Sequence, residues 1–196
     1  MSRLILLSVL VLMFCASGTA QPRGPEFRRP LACVPLEPRT KLESFDARYG
    51  TVLFKGFTRV ATVDVRDGEV RVDAIELRDF GNSAHTMGVA VVLRENGERP
   101  TESRAFVDYE EIDLLLKGLD SVARVNETMT KLTGFEARYR TNGDLEINVF
   151  RQTRTGTAAT LSSGICDKVT VSLTLDELSK LRGIISEAKG RLDEIK

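Results

Sequence analysis

Residues 106–125 read FVDYEEIDLLLKGLDSVARV, and this stretch decides how the rest of the chain is organised. A short apolar segment leads into Asp108, after which apolar residues recur at helical spacing. Asp108 is a good N-cap because its carboxylate can accept hydrogen bonds from the free backbone N–H groups of a first helical turn. Glu111 has the position of the reciprocal partner in a capping box, and Val107 and Ile112 flank the cap as an apolar pair. The stretch therefore predicts a strand that leads directly into a capped helix.

A second stretch with the same pattern lies near the C-terminus. Thr174 and Glu177 have the spacing of a capping box, and Leu173 and Leu178 form the flanking apolar pair. Both predicted helices have one apolar stripe and an opposite polar side, so each should lie across one face of a sheet. The stripes comprise Ile112, Leu115, Leu116, Leu119, Val122 and Ala123 in the first helix, and Leu178, Leu181, Ile185, Ala188, Leu192 and Ile195 in the second.

The segment between residues 61 and 77 predicts a β-hairpin. Asp67-Gly68 is a dipeptide typical of a two-residue type I′ turn, because both central residues of that turn need positive φ. This turn predicts a register with Val65 opposite Val70, Val63 opposite Val72 and Ala61 opposite Ala74. The apolar alternation then shifts to Ile75 and Leu77, which predicts a β-bulge near Asp73-Ala74.

A second hairpin is predicted around Asn142-Gly143. A three-residue loop places Tyr139 opposite Ile147 and Ala137 opposite Val149, which puts apolar side chains together on one face. Further strands are predicted at 86–94, 103–107, 157–161 and 168–173. The predicted fold class is α+β: a mainly antiparallel β-sheet of hairpins with two amphipathic helices packed on one face.

Two short matches raise the question of an internal duplication. Residues 45–49, FDARY, recur as FEARY at 135–139, and each precedes a capped helix. The alternatives are a duplicated strands-then-helix unit, with halves 41–126 and 131–196, or independent use of common strand and cap patterns. A repeated unit of four strands and a helix resembles the Whirly and Pur folds, which bind single-stranded nucleic acid. The chain has 28 basic and 28 acidic side chains and scattered aromatics, so we exclude nucleic acid as a partner.

The N-terminal region indicates export. Residues 1–20 have a basic start, a twelve-residue apolar run at 4–15 and small residues at the end, which predicts a signal peptide and no membrane span after its cleavage. Residues 21–40 are rich in proline and arginine and predict an extended arm, followed by a single domain at 41–196. In a periplasmic or secreted protein, Cys33 and Cys166 predict a disulfide, with two separate thiols as the alternative.

The order of motifs over most of the mature chain resembles small exported bacterial proteins of uncharacterised function. The resemblance rests on residues 106–116, FEARY at 135–139, Asn142-Gly143, Val149-Phe150 and the LDEL segment at 175–178. It implies export and an α+β body. It implies no activity and no active-site residue.

The sequence contains little that suggests catalysis. His85 is the single histidine, and it falls at the edge of a predicted strand; no zinc-binding, hydrolase or paired-cysteine motif accompanies it. Asp108, Glu110, Glu111 and Asp113 cluster at a helix start, where the helix dipole stabilises negative charge. We therefore predict no catalytic residue, no cofactor and no metal site.

The remaining candidate site is a stretch of small residues at 155–164. Gly156 and Gly164 could let a ligand or another backbone approach closely, with His85 as a further candidate for the same binding surface. The alternative for this stretch is a flexible hairpin.

Three functions follow from these observations. The first is a non-enzymatic exported module of the cell envelope that binds an unknown protein or small-molecule partner. The second is a carrier of a small hydrophobic ligand on the free face of the sheet, which requires that face to be apolar and concave. The third is a hydrolytic enzyme built around His85.

Overall fold

The computed structural model describes residues 37–152 and 156–196. The predicted signal peptide, most of the predicted arm and Cys33 lie outside these residues, so the disulfide with Cys166 stays a prediction. The helices are α1 (Lys41–Asp46), α2 (Ile112–Ala123) and α3 (Leu175–Asp193). The strands are β1 (Leu53–Val65), β2 (Gly68–Asp79), β3 (His85–Glu95), β4 (Thr101–Asp108), β5 (Glu136–Arg140), β6 (Glu146–Gln152), β7 (Gly156–Ser163) and β8 (Val169–Leu173).

The strands form two antiparallel sheets of four strands each. Strands β1 to β4 form the first sheet and β5 to β8 the second, with sequence neighbours adjacent in both. Each set of four strands is followed by a helix, α2 after the first set and α3 after the second. The predicted α+β class and the repeated strands-then-helix order are confirmed. Among the helices described, none has both the length and the apolar content needed to cross a membrane.

One hydrophobic core takes in the apolar stripes of both helices and the inward residues of both sheets. Helix α2 packs on β5 and β6, and α3 packs mainly on β1, β2 and β3, so each helix covers the sheet that it does not follow in sequence. The structure confirms that the two apolar stripes are buried together in one core. This core lies between two sheets, whereas the prediction placed both helices on one face of a single sheet. Ala123 and Ile195 are exposed and do not belong to it.

The start of α3 is confirmed as a capping box. The Thr174 hydroxyl accepts from the Glu177 N–H at 3.1 Å, and the Glu177 carboxylate accepts from the Thr174 N–H at 2.7 Å. Leu178, one residue further, is buried in the core. Local sequence is enough here, because the box needs only residues three positions apart.

The predicted cap of α2 is wrong. A 3₁₀ turn at residues 109–111 precedes the helix, and the Asp108 side chain makes no bond to it. The Asp108 carboxylate instead accepts from the N–H groups of Lys41 at 2.8 Å and Leu42 at 3.0 Å, which begin α1. The Glu111 carboxylate accepts from the Asn142 N–H at 2.8 Å. Both acids therefore cap backbone segments distant in sequence.

The β1–β2 hairpin has a two-residue loop, but its register differs from the prediction. The loop is 66–67, so Val65 lies opposite Gly68 and Val63 opposite Val70. Asp67 and Gly68 have other partners: the Asp67 carboxylate accepts from the N–H and the hydroxyl of Ser172 in β8, each at 2.8 Å.

Gly68 lies against β3, and a Cβ there would come within 2.0 Å of the Arg94 carbonyl oxygen. Asp67 therefore takes the second position of the loop, and Gly68 lies in β2, opposite Val65 and Glu95.

The bulge predicted near Asp73-Ala74 occurs at that level of the hairpin, but in the opposite strand. The register shift lies in β1, between Arg59 and Ala61, while β2 and β3 pair without interruption. The apolar alternation in β2 changes because the buried face changes: Ala74 faces the main core, and Ile75 faces a second cluster under α1. That cluster comprises Leu42, Phe45, Ile75, Leu77, Ala90 and Phe106.

The β5–β6 hairpin is confirmed. Tyr139 lies opposite Ile147 and Ala137 opposite Val149, as predicted. The Thr141 N–H donates to the Leu145 carbonyl at 2.9 Å, which closes a loop of three residues. Asp144 takes the left-handed position of this loop with φ of 67°.

The two related pentapeptides adopt different structures. Residues 45–49 end α1 and continue into an exposed turn, whereas 135–139 lead into and form most of β5. Helix α1 forms because Thr40 and Glu43 make a capping box at its start and Asp108 accepts from its first N–H groups. The pentapeptides therefore give no support to a structural duplication.

Candidate interaction surface

The structure does not bring the three predicted surface residues together. His85 is exposed, begins β3 and lies opposite Arg78 in the first sheet. Gly156 begins β7 in the second sheet, and Gly164 follows the other end of that eight-residue strand. The three residues thus occupy three separate positions.

Backbone geometry accounts for Gly164. Its φ is 100°, a conformation that L side chains rarely adopt, and an added Cβ would lie 2.5 Å from the Asp167 carbonyl oxygen. Gly156 has φ of 89°, with open space where a Cβ would stand. Gly164 thus serves the chain reversal after β7, and Gly156 is the first residue of that strand.

The acidic cluster at the start of α2 is tied into the structure by its partners. Glu110 pairs with Lys41 at 2.6 Å, and Asp113 pairs with Lys189 at 3.3 Å. Glu111 is partly buried: burial raises its pKa, and its Oε2 atom is buried without a partner within the described residues. Residues 37–152 and 156–196 contain no group of three or more potential ligands that could hold a metal ion.

The most conspicuous surface feature is a group of exposed phenylalanines on β1 and directly after β2. Phe54, Phe57 and Phe80 are 60, 68 and 77% exposed, and we call these three residues the aromatic edge. The rings of Phe54 and Phe80 lie 6.1 Å apart between centroids and are tilted by 38°. Val52, which is 64% exposed, extends the apolar surface.

The aromatic edge exists because β1 extends past the core. Residues 54–59 are exposed on both faces of the strand, whereas Val63 and Val65 near its end are buried. The N–H of Phe80 donates to the Val52 carbonyl at 3.0 Å, and this bond holds Phe80 beside the start of β1. Strand pairing therefore positions the three rings.

An open depression of about 480 Å³ adjoins the aromatic edge. Its lining combines two phenylalanine rings with polar groups: Phe54, Gly56, Glu76, Arg78, Asp79, Phe80 and Ser83. Arg78 and Glu76 form an ion pair at 2.6 Å inside it. The Asp79 carboxylate accepts from the Thr51 hydroxyl at 2.7 Å and the Gly81 N–H at 2.8 Å, which hold its pKa below the usual range.

Comparison with protein-family models, curated proteins and solved structures finds no match for this chain.

Away from α1, the outer face of the first sheet is charged. Val92 on β3 is buried between Arg71 and Arg104, its cross-strand neighbours. Arg71 pairs with Asp73 at 3.2 Å. The outer face of the second sheet is polar too, with an ion pair between Lys168 and Glu146 at 3.1 Å. These faces have the character of solvated surface.

Sequence reasoning missed the aromatic edge, although one signal was present. Phe54 and Phe57 are three residues apart, so in a strand they point to opposite faces. A sheet that buries one face in the core leaves one of them outside. The proximity of Phe80 follows only from the pairing of β1 with β2.

Proposed function

We propose that this chain is a non-enzymatic, exported module of the cell envelope that binds another polypeptide through the aromatic edge. The observation that supports the proposal is the pair of exposed rings of Phe54 and Phe80, 6.1 Å apart between centroids, with Phe57 exposed on the opposite face of the same strand. Single exposed apolar residues are common, but grouped aromatic rings with a polar rim are typical of interaction sites. Export rests on the signal-peptide pattern of residues 1–20.

The energetics favour a binding role for these rings. Each phenylalanine can bury about 150–250 Å², and apolar burial contributes roughly 25 cal/mol per Å². Buried aromatic anchors often dominate the binding energy of an interface. Arg78 and Glu76 beside Phe54 provide the polar groups that such an interface needs at its rim.

The charged outer faces favour this proposal over a carrier of hydrophobic ligands. A carrier needs an apolar, enclosed surface, whereas Arg71, Asp73 and Arg104 occupy the outer face of the first sheet. The depression beside the aromatic edge is open and half polar in its lining. These features suit a protein partner.

Site-specific photo-crosslinking in the producing cell tests the proposal. A benzoyl-phenylalanine probe replaces Phe80 in one full-length variant and Leu114 in a matched control, because Leu114 is also apolar and 57% exposed but lies on α2. We expect a discrete protein adduct from position 80 that disappears when Phe54→Ser is added, and none from position 114.

Equal adducts at both positions, or none at position 80 in a folded protein, would refute the proposal. Phe54 is exposed, so Phe54→Ser should change the free energy of unfolding by about 0.5 kcal/mol or less. Thermal unfolding of the variant checks that the fold is intact.

A further inference from the structure

The aromatic edge lies on a backbone edge that has no pairing strand among the described residues. Strand β1 is the first in its sheet and pairs with β2 alone. The Phe80 N–H bond to the Val52 carbonyl marks a hydrogen-bonded pair, and such pairs alternate along an antiparallel ladder. The N–H and C=O groups of Leu53, Lys55, Phe57 and Arg59 therefore point away from β2.

This edge lacks most of the features that protect edge strands. Edge strands tend to be short, to contain proline, to bulge early or to have charged side chains, and of these features residues 53–59 have only the charges of Lys55 and Arg59. Residues 53–59 contain no proline, and the register shift comes only at Arg59 and Ala61. The free part of the edge is therefore seven residues long, which spans about 23 Å in an extended strand.

The side chains along this edge have an alternating chemistry. Lys55, Phe57 and Arg59 point to one face, where they lie opposite Leu77, Ile75 and Asp73 of β2. All three are exposed. A strand added beside β1 would thus meet a cation, an aromatic ring and a second cation at every other position.

These two cations have little compensation within the described residues. Arg59 reaches the Asp73 carboxylate at 3.8 Å, but Arg71 already binds that carboxylate at 3.2 Å. Lys55 lies over the Phe106 ring at 5.6 Å and makes no ion pair within the described part of the chain. Opposite charges on a neighbouring strand would therefore be favourable.

We propose that β1 binds an extended, antiparallel segment of a partner protein with the pattern acidic–x–apolar–x–acidic. The acidic residues would lie opposite Lys55 and Arg59, and the apolar residue opposite Phe57. The inference rests on the proposed function and specifies its partner: main-chain bonds supply affinity and the alternate side chains supply specificity.

A second copy of this chain fits the edge less well. Two-fold pairing centred on Phe57 places Lys55 opposite Arg59 of the other copy, and pairing centred on Lys55 places that lysine opposite itself. Pairing centred on Gly56 or Thr58 places one cation opposite Phe57 and gives neither cation an acidic neighbour. Like charges directly opposite each other destabilise a strand pair. Charge complementarity therefore favours a different, acidic chain.

Binding of a labelled synthetic peptide to the full-length protein tests the inference. The probe is fluorescein-labelled Ser-Glu-Thr-Val-Thr-Glu-Ser, measured by fluorescence anisotropy. N-methylation of the two Glu and the Val removes three donors to β1 and should weaken binding at least about tenfold, since each bond contributes about 1 kcal/mol. N-methylation of the two Thr, whose N–H groups point away, should change affinity less than about twofold. Equal effects of the two methylation patterns, or no saturable binding, would overturn strand addition.

Charge exchange tests the predicted specificity. Lys55→Glu should weaken binding of the Glu peptide about fivefold and strengthen binding of a Lys version by a similar factor. Arg66→Glu is the matched control, because this exposed cation lies in the hairpin loop at the other end of β1. Equal responses of the two variants would overturn the assigned register.

Two further measurements separate the alternatives. A dimer in sedimentation that the peptide dissociates would make a second copy the occupant and overturn the acidic-partner inference. A photo-crosslinking adduct at position 80, together with equal effects of the two methylation patterns on peptide binding, would refute strand addition but not the proposed function. If there is no adduct at position 80 and the two methylation patterns have equal effects, both the proposed function and strand addition are refuted.

Discussion

Replacement of Gly118 by alanine provides a stringent test of the packing between α2 and the second sheet. Gly118 is a buried residue in the interior of α2. At an exposed helical site, this replacement would stabilise the protein by about 1 kcal/mol, because alanine loses less backbone entropy. At position 118, a Cβ would lie 2.5 Å from Cδ2, 2.6 Å from Cε2 and 2.7 Å from Cγ of the Tyr139 ring.

The size of the effect follows from the two opposing terms. Overpacking a filled site costs about 1–3 kcal/mol, and three contacts below 3 Å place Gly118 near the upper end. The ring cannot swing away cheaply, because Cγ lies next to the backbone of β5. Subtracting the helical gain of about 1 kcal/mol, we expect Gly118→Ala to lower the free energy of unfolding by about 2 kcal/mol.

Urea unfolding of the full-length protein measures this change. Gly183→Ala in α3 is the matched control, since no atom lies within 4 Å of its added Cβ, and it should stabilise by about 1 kcal/mol. In a Tyr139→Ala background, Gly118→Ala should also stabilise, because the ring is absent. Stabilisation by Gly118→Ala in the native background would refute the packing described for α2 and β5.

Two further predictions concern the acids that join distant segments. Asp108→Ala should lower the free energy of unfolding by about 1–2 kcal/mol, because the N–H groups of Lys41 and Leu42 lose their acceptor; urea unfolding checks this, and an unchanged value would contradict it. Burial raises the pKa of Glu111, so its stability contribution rises as pH falls from that raised pKa towards the ordinary value. Glu111→Gln, which can still accept from Asn142, should therefore stabilise at pH 7 and lose this advantage in acid; an advantage that is constant with pH would contradict the assignment.

Elements governed by neighbouring residues were predictable. The Thr174 capping box and the Asn142-Gly143 hairpin follow from interactions between residues a few positions apart and from alternation along a strand. The Asp67-Gly68 register was not predictable, because the Asp67 carboxylate accepts hydrogen bonds from Ser172, which lies 105 positions away in the sequence. The shift at Ala74 likewise depends on which face α1 covers.

The candidate site was the least predictable part. Gly156, Gly164 and His85 are unusual by composition, yet the fold disperses them among strand ends. Phe54 and Phe80 are separated in sequence and become neighbours through the β1–β2 pairing. Whether an aromatic ring is exposed depends on which other segments of the folded chain cover it, and this cannot be read from the local sequence.

The amino-acid sequence by itself determined the α+β class, the apolar stripes of the two long helices and the register of one hairpin. These features depend on periodicity and on short-range hydrogen bonds, which act within a few residues. Only the tertiary structure decided that Asp108 caps α1, that each long helix crosses to the other sheet, and that the start of β1 stays exposed among the described residues. Those outcomes depend on which distant segments compete for the same donors and the same apolar surface, and that competition is resolved only when the whole chain packs.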